Sequence, residues 1–185
     1  MAYGVVLVPD ARTTRALTDL SHAIGHGARP VHQLSDHAPP HVSVLHLDVD
    51  DDRGPEIAEF TAAKQVTLTV KVIGLLYAPV PKGDYYVPDG GIYFGVEIVR
   101  RPDLDGLHQA FLDFAATRGM TPLGAVGDDY RPHVTLGVTE VQPALPPLDM
   151  LPLGELHMTL ASGPIGPYGT FPTLGHSDTG HTLSP

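Results

Sequence analysis

One stretch occurs twice and constrains the fold more than anything else in the chain: PHVSVLHL at 40–47 and PHVTLGV at 132–138. Each begins with a proline, which has no N–H to give to a sheet ladder and so marks where a strand starts. Alternate side chains of a strand share a face, so His41 and Ser43 point one way while Val42 and Val44 point the other. His133 and Thr135 repeat the arrangement, with Val134 and Leu136 opposite. The bare His-x-Ser/Thr pattern is weak in a chain with 11 histidines, and a third instance, His157 with Thr159, lacks the proline. Position in the order of elements separates the first two from the third.

That order runs twice. Residues 3–8 (YGVVLV) read as a buried strand, and Leu17, Leu20 and Ile24 recur at helical spacing before Gly25 and Gly27. A strand over 41–49 follows, then a short helix opening at Pro55 and a strand over 66–78. After a loop at 79–91, rich in proline and glycine, come a strand at 92–99, a helix at 102–119 and strands at 133–140 and 154–162. The proline-rich 141–152 stands where the first half has its second helix. This pattern predicts an α+β protein, one bilobal domain over 1–185. Lobe one covers about 1–78, lobe two about 92–162, and a partly irregular tail 163–185. Each half contributes one PHV[ST] strand.

Composition limits the partners. The formal net charge is −10, with 11 lysines and arginines against 21 aspartates and glutamates. Coating long nucleic acid requires neutralising many phosphates, so that class is excluded and a phosphate ligand must be small or held at one end. With no cysteine, thiolate metal sites and a cysteine nucleophile are ruled out. No stretch has the length of a membrane span, and the first ten residues read as a strand rather than a signal peptide. The expectation is a cytoplasmic monomer that does not bind membranes.

A pair of histidines with hydroxyl neighbours suits one chemistry. Cleaving a phosphodiester benefits from a base for the attacking oxygen and an acid for the leaving oxygen, and imidazole serves as either near neutral pH. A hydroxyl two residues along the strand faces the same space and can hold a phosphoryl oxygen as charge builds there. Two facing copies surround one phosphate with four groups and need no cofactor or metal.

The doubled PHV[ST] strand resembles the 2H phosphoesterase superfamily, which includes RNA 2′,3′-cyclic phosphodiesterases and 2′-5′ RNA ligase-like proteins. AYGVVLVPD with its helix, and IYFGVEIV before a helix and YRPHVTLG, are similar to it as well, so the resemblance spans about residues 2–162. It implies a pseudo-twofold bilobal α+β fold with two antiparallel or mixed sheets, flanked by helices, around a central cleft. It also implies that His41 and His133 are the catalytic pair and that Ser43 and Thr135 bind phosphate. The expected activity is metal-independent hydrolysis of a 2′,3′-cyclic phosphate or a short 2′-5′ or 3′-5′ oligonucleotide end. The alternative is a non-catalytic domain of the same type that binds a phosphorylated metabolite or a protein partner.

Other residues carry lesser expectations. Arg131 is placed to pair with a phosphate in fork geometry, and Tyr130 to stack on a base. Tyr85 and Tyr86 either cover a nucleobase or anchor their loop. By strand alternation His46 falls on the face opposite His41 and is read as structural. His22 and His26, four apart on a helix, lack the acidic partner of a metalloprotease motif. His176 and His181 are read as solvated.

Overall fold

The computed structural model describes residues 2–64 and 66–176. Nine strands, β1 (Ala2–Pro9), β2 (Pro30–Gln33), β3 (Val42–Asp48), β4 (Thr67–Val80), β5 (Gly91–Ile98), β6 (Thr121–Leu123), β7 (His133–Thr139), β8 (Gly154–Pro164) and β9 (Gly175–His176), form one sheet. Three helices, α1 (Ala11–Gly25), α2 (Gly54–Lys64) and α3 (Pro102–Thr117), interrupt them. No helix among the described residues is long and apolar enough to cross a membrane.

Local chemistry accounts for the helices. Asp10 caps α1 by accepting from the Thr13 N–H at 2.7 Å, satisfying one of the open donors of the first turn. Leu17, Leu20 and Ile24 then form its buried stripe. Pro102 begins α3 at a position where a missing N–H costs nothing, with Asp103 and Asp105 against the positive end of the helix. Leu104, Leu107, Phe111 and Phe114 bury its apolar face.

The strand order is β2-β7-β5-β4-β8-β1-β3-β6, antiparallel throughout. Exchanging each strand for its counterpart in the other half (β1 with β5, β2 with β6, β3 with β7, β4 with β8) turns this order into its own reverse. The pseudo-twofold is therefore real, but the halves interleave. β7 lies between β5 of its own half and β2 of the other, and β3 lies between β1 and β6. Helix α1 packs on β7, and α3 on β3. The two edge strands, β2 and β6, are short and carry Pro30 and Pro122, which blunt them against further pairing.

Residues 141–152 form no helix, as their prolines imply; they hold a single 3₁₀ turn at Leu148–Met150. One feature differs from expectation. The chain after residue 163 is ordered where it is described. β8 runs to Pro164, Phe171 is buried, and β9 pairs with β8. His181 lies outside the described residues, as does the side chain of His176.

Candidate active site

The two PHV[ST] strands touch. β3 and β7 meet antiparallel at the pair Val42 and Val134, which joins the far-separated arms of the sheet order and curls it. Continuing that register sets His41 opposite Thr135 and Ser43 opposite His133, all four on the face away from the buried valines. All four line a single cavity of about 350 Å³. Each histidine thus stands across from the hydroxyl of the other strand.

The two imidazoles are held alike. His41 Nδ1 donates to the Pro39 carbonyl at 2.9 Å, and His133 Nδ1 donates to the Arg131 carbonyl at 2.7 Å. A carbonyl can only accept, so the proton of each neutral ring sits on Nδ1 and Nε2 keeps its lone pair. Burial lowers the His41 pKa to about 4, helped slightly by the nearby His133 and His32; the Pro39 bond works the other way. Burial lowers His133 too, and the bond to the Arg131 carbonyl, with a smaller contribution from Glu97, partly offsets this. Phe171 packs edge-on against His41 at 4.8 Å between ring centres. Gly4 makes room for it, because a Cβ there would overlap the Phe171 ring.

A β-bulge follows each hydroxyl residue. β1 pairs Val6 with Ser43 but Val5 with Leu45; β5 pairs Gly95 with Thr135 but Phe94 with Gly137. The extra residues are Val44 and Leu136, and each has its carbonyl captured by a buried side chain from the helix beneath. His108 of α3 donates from Nδ1 to Val44 O at 2.6 Å, and its Nε2 accepts from Gly127 N at 3.0 Å. Ser21 of α1 donates to Leu136 O at 2.5 Å and accepts from Leu34 N at 3.1 Å. Two different residues occupy equivalent places and make equivalent bonds.

The first bulge corrects the reading of His46. Strict alternation puts it opposite His41, but the inserted residue reverses the phase, so Val44 and Leu45 are both buried and His46 joins the cavity wall. Its Nδ1 lies 2.6 Å from Tyr86 Oη, which ties the β4–β5 hairpin tip to the site. Tyr85, its neighbour, is exposed.

Tyr130 lines the cavity as well; its ring is stacked on His108 at 4.0 Å and its hydroxyl donates to Ser43 O at 2.8 Å, so it supports the first bulge from below. Arg131 lines the cavity with its Nε and Nη2 both on Glu97 Oε1, at 3.1 and 2.9 Å. His22 is bonded through Nε2 to Leu34 O at 3.1 Å. Sequence reasoning missed Tyr93, whose hydroxyl lies 3.1 Å from Thr135 Oγ1 and whose ring packs edge-on against His133. Its signal was its place in β5, alternating with the core residue Phe94. Ser21, His108 and Phe171 had no signal of their own.

No protein-family model matches the chain, and no curated protein matches it by sequence. Solved structures do match it in fold. TT0787 of Thermus thermophilus superposes with a TM-score of 0.53 at 14% identity, covering 95% of this chain and 94% of that one. E. coli LigT, solved in complex with NADP+, and a structure described as a phosphoesterase each give a TM-score of 0.51 at 14% identity, covering 94% of this chain and 92% of theirs. The chain shares its fold with these structures.

Proposed function

We propose that the protein is a metal-independent phosphodiesterase acting on a 2′,3′-cyclic phosphate or the end of a short oligonucleotide, with His41 and His133 as acid and base. The observation that carries this is the matched pair of imidazoles in one cavity, each with Nδ1 bound to the carbonyl two residues back and Nε2 free. One ring takes the proton of the attacking oxygen as the other, protonated, gives a proton to the leaving oxygen. Ser43 and Thr135 donate to the non-bridging oxygens, where charge increases toward the transition state. Burial alone favours both neutral rings; a phosphate anion between them restores the charged form of one. The site is symmetric enough that either histidine can begin as the base.

Hydrolysis of nucleoside 2′,3′-cyclic phosphates in EDTA tests the reading. His41→Ala and His133→Ala are each expected to lower kcat by about 100- to 10,000-fold, the usual range for a positioned acid or base. Activity that survives either substitution, or that disappears with chelation, would rule the mechanism out. Stabilisation by nucleotides without turnover would instead favour a binding domain.

A further inference from the structure

The cavity wall holds a third histidine that the acid–base reaction does not use. Among the described residues, His46 Nε2 is one of two buried side-chain polar atoms with no hydrogen-bond partner; the other is Tyr77 Oη, and Tyr77 does not line the cavity. A buried nitrogen left unpaired carries its desolvation cost with nothing in return, so it marks a place where a partner is missing. The pseudo-twofold shows that the fold does not require a histidine here. Val138, three residues past Thr135 as His46 is three past Ser43, fills the equivalent position and lines the same cavity.

The surroundings define what would pair with it. Leu76, Val80 and Val87 make much of the wall apolar. Its ionised side chains are Arg131, already on Glu97, and Asp84, whose Oδ1 accepts from Tyr86 N and Val87 N. Beyond the phosphate the cavity therefore favours an uncharged group. His46 cannot answer as a cation either: burial, with His41 and His133 nearby, brings its pKa down to about 3. It acts as a neutral ring whose tautomer depends on the bond between its Nδ1 and Tyr86 Oη.

We infer that His46, oriented by Tyr86, is a specificity-determining residue whose Nε2 pairs with the hydrogen-bonding edge of the uncharged group esterified to the phosphate. The nucleobase of a mononucleotide is the group of this chemistry that the cavity is expected to take. This rests on the two-histidine reading of the site, which supplies the phosphate end.

The test compares the four nucleoside 2′,3′-cyclic monophosphates with glycerol 1,2-cyclic phosphate, which has the reacting ring and no base. His46→Phe is expected to lower kcat/KM for the preferred nucleotide by about 10-fold or more, mainly through KM, and to level the preference among bases. Glycerol cyclic phosphate is expected to change less than about twofold, and His46→Gln, which keeps a hydrogen-bonding group, to recover part of the loss. Equal losses on all substrates, or an unchanged base preference, would overturn the inference. If the wild type hydrolyses none of them, the catalytic reading fails separately, and calorimetry with nucleoside 3′-monophosphates and inorganic phosphate decides this one. Weaker nucleotide binding by His46→Phe with phosphate binding retained supports it; equal affinities, or no nucleotide binding by the wild type, overturn it.

Discussion

Val42 and Val134 stand opposite each other in the pair that joins β3 to β7, and the four polar residues of the site take their places from that pair. The valines are fully buried, so the face they leave is fixed, and their antiparallel register sets each histidine beside the other strand's hydroxyl. A slip of either strand by one residue would turn its own histidine and hydroxyl into the core. The site is thus as well defined as the sheet that carries it.

The hydroxyls are expected to matter for rate and little for stability. Ser43 and Thr135 are half-buried, and Thr135 has one bond within the protein, to Tyr93. Ser43→Ala and Thr135→Val should each lower kcat by about 100-fold or more, as loss of a transition-state donor does. Urea unfolding of both variants should stay within about 1 kcal/mol of wild type. A loss of stability matching the loss of rate would assign them a packing role.

Behind the strands, Ser21 and His108 each satisfy one buried carbonyl and one backbone N–H. Ser21→Ala leaves Leu136 O and Leu34 N without partners and is expected to cost about 1–3 kcal/mol. His108→Ala should cost at least as much, because it also removes the ring stacked on Tyr130. Denaturant titration measures both, and a cost near zero for either would mean that the bulges hold without their helices.

Much of this was legible in the letters. Both PHV[ST] strands begin after a proline, α1 and α3 follow apolar periodicity while α2 opens at Pro55, and the repeated order implies the pseudo-twofold. The bulges were not legible. They depend on what the opposite half supplies: Ser21 reaches β7 and His108 reaches β3 through interleaved halves that no local window contains. His46 was misread for that reason, since alternation holds only while the register does. β2 and β6, with four and three residues, show no pattern because the long strands beside them set their pairing. Phe171 was hidden in a segment whose glycines and prolines resemble a solvated tail.

Close approach of two backbones makes Gly95 a sensitive position. A Cβ there would overlap the Val134 carbonyl oxygen, and that carbonyl belongs to the strand that carries His133 and Thr135. Main chain cannot swing aside as a flexible side chain can, so Gly95→Ala should shift β7 locally. The expected cost is about 1–3 kcal/mol, the usual range for overpacking. Activity should fall further than the thermal stability loss explains. Full activity in Gly95→Ala would show that β5 and β7 have more room than their spacing implies.

Finally, the buried imidazole of His41 predicts how stability follows pH. In the unfolded chain it takes a proton at its ordinary 6.5; in the fold burial lowers this to about 4, helped by the nearby His133 and His32 and opposed by the Pro39 carbonyl. Below pH 6.5 the unfolded chain therefore binds a proton that the fold refuses, and stability falls with pH until both states are protonated near pH 4. Over that window His41 should contribute a loss of about 3 kcal/mol. Asp10 and Glu56, held below the usual carboxylate range by Thr13 and by Arg53, lose their contributions mainly at lower pH. Urea unfolding at about pH 7 and about pH 4.5 should therefore show a smaller loss for His41→Asn than for wild type. Equal losses in the two proteins would mean that His41 is as easily protonated in the fold as outside it, and that a water path reaches the ring.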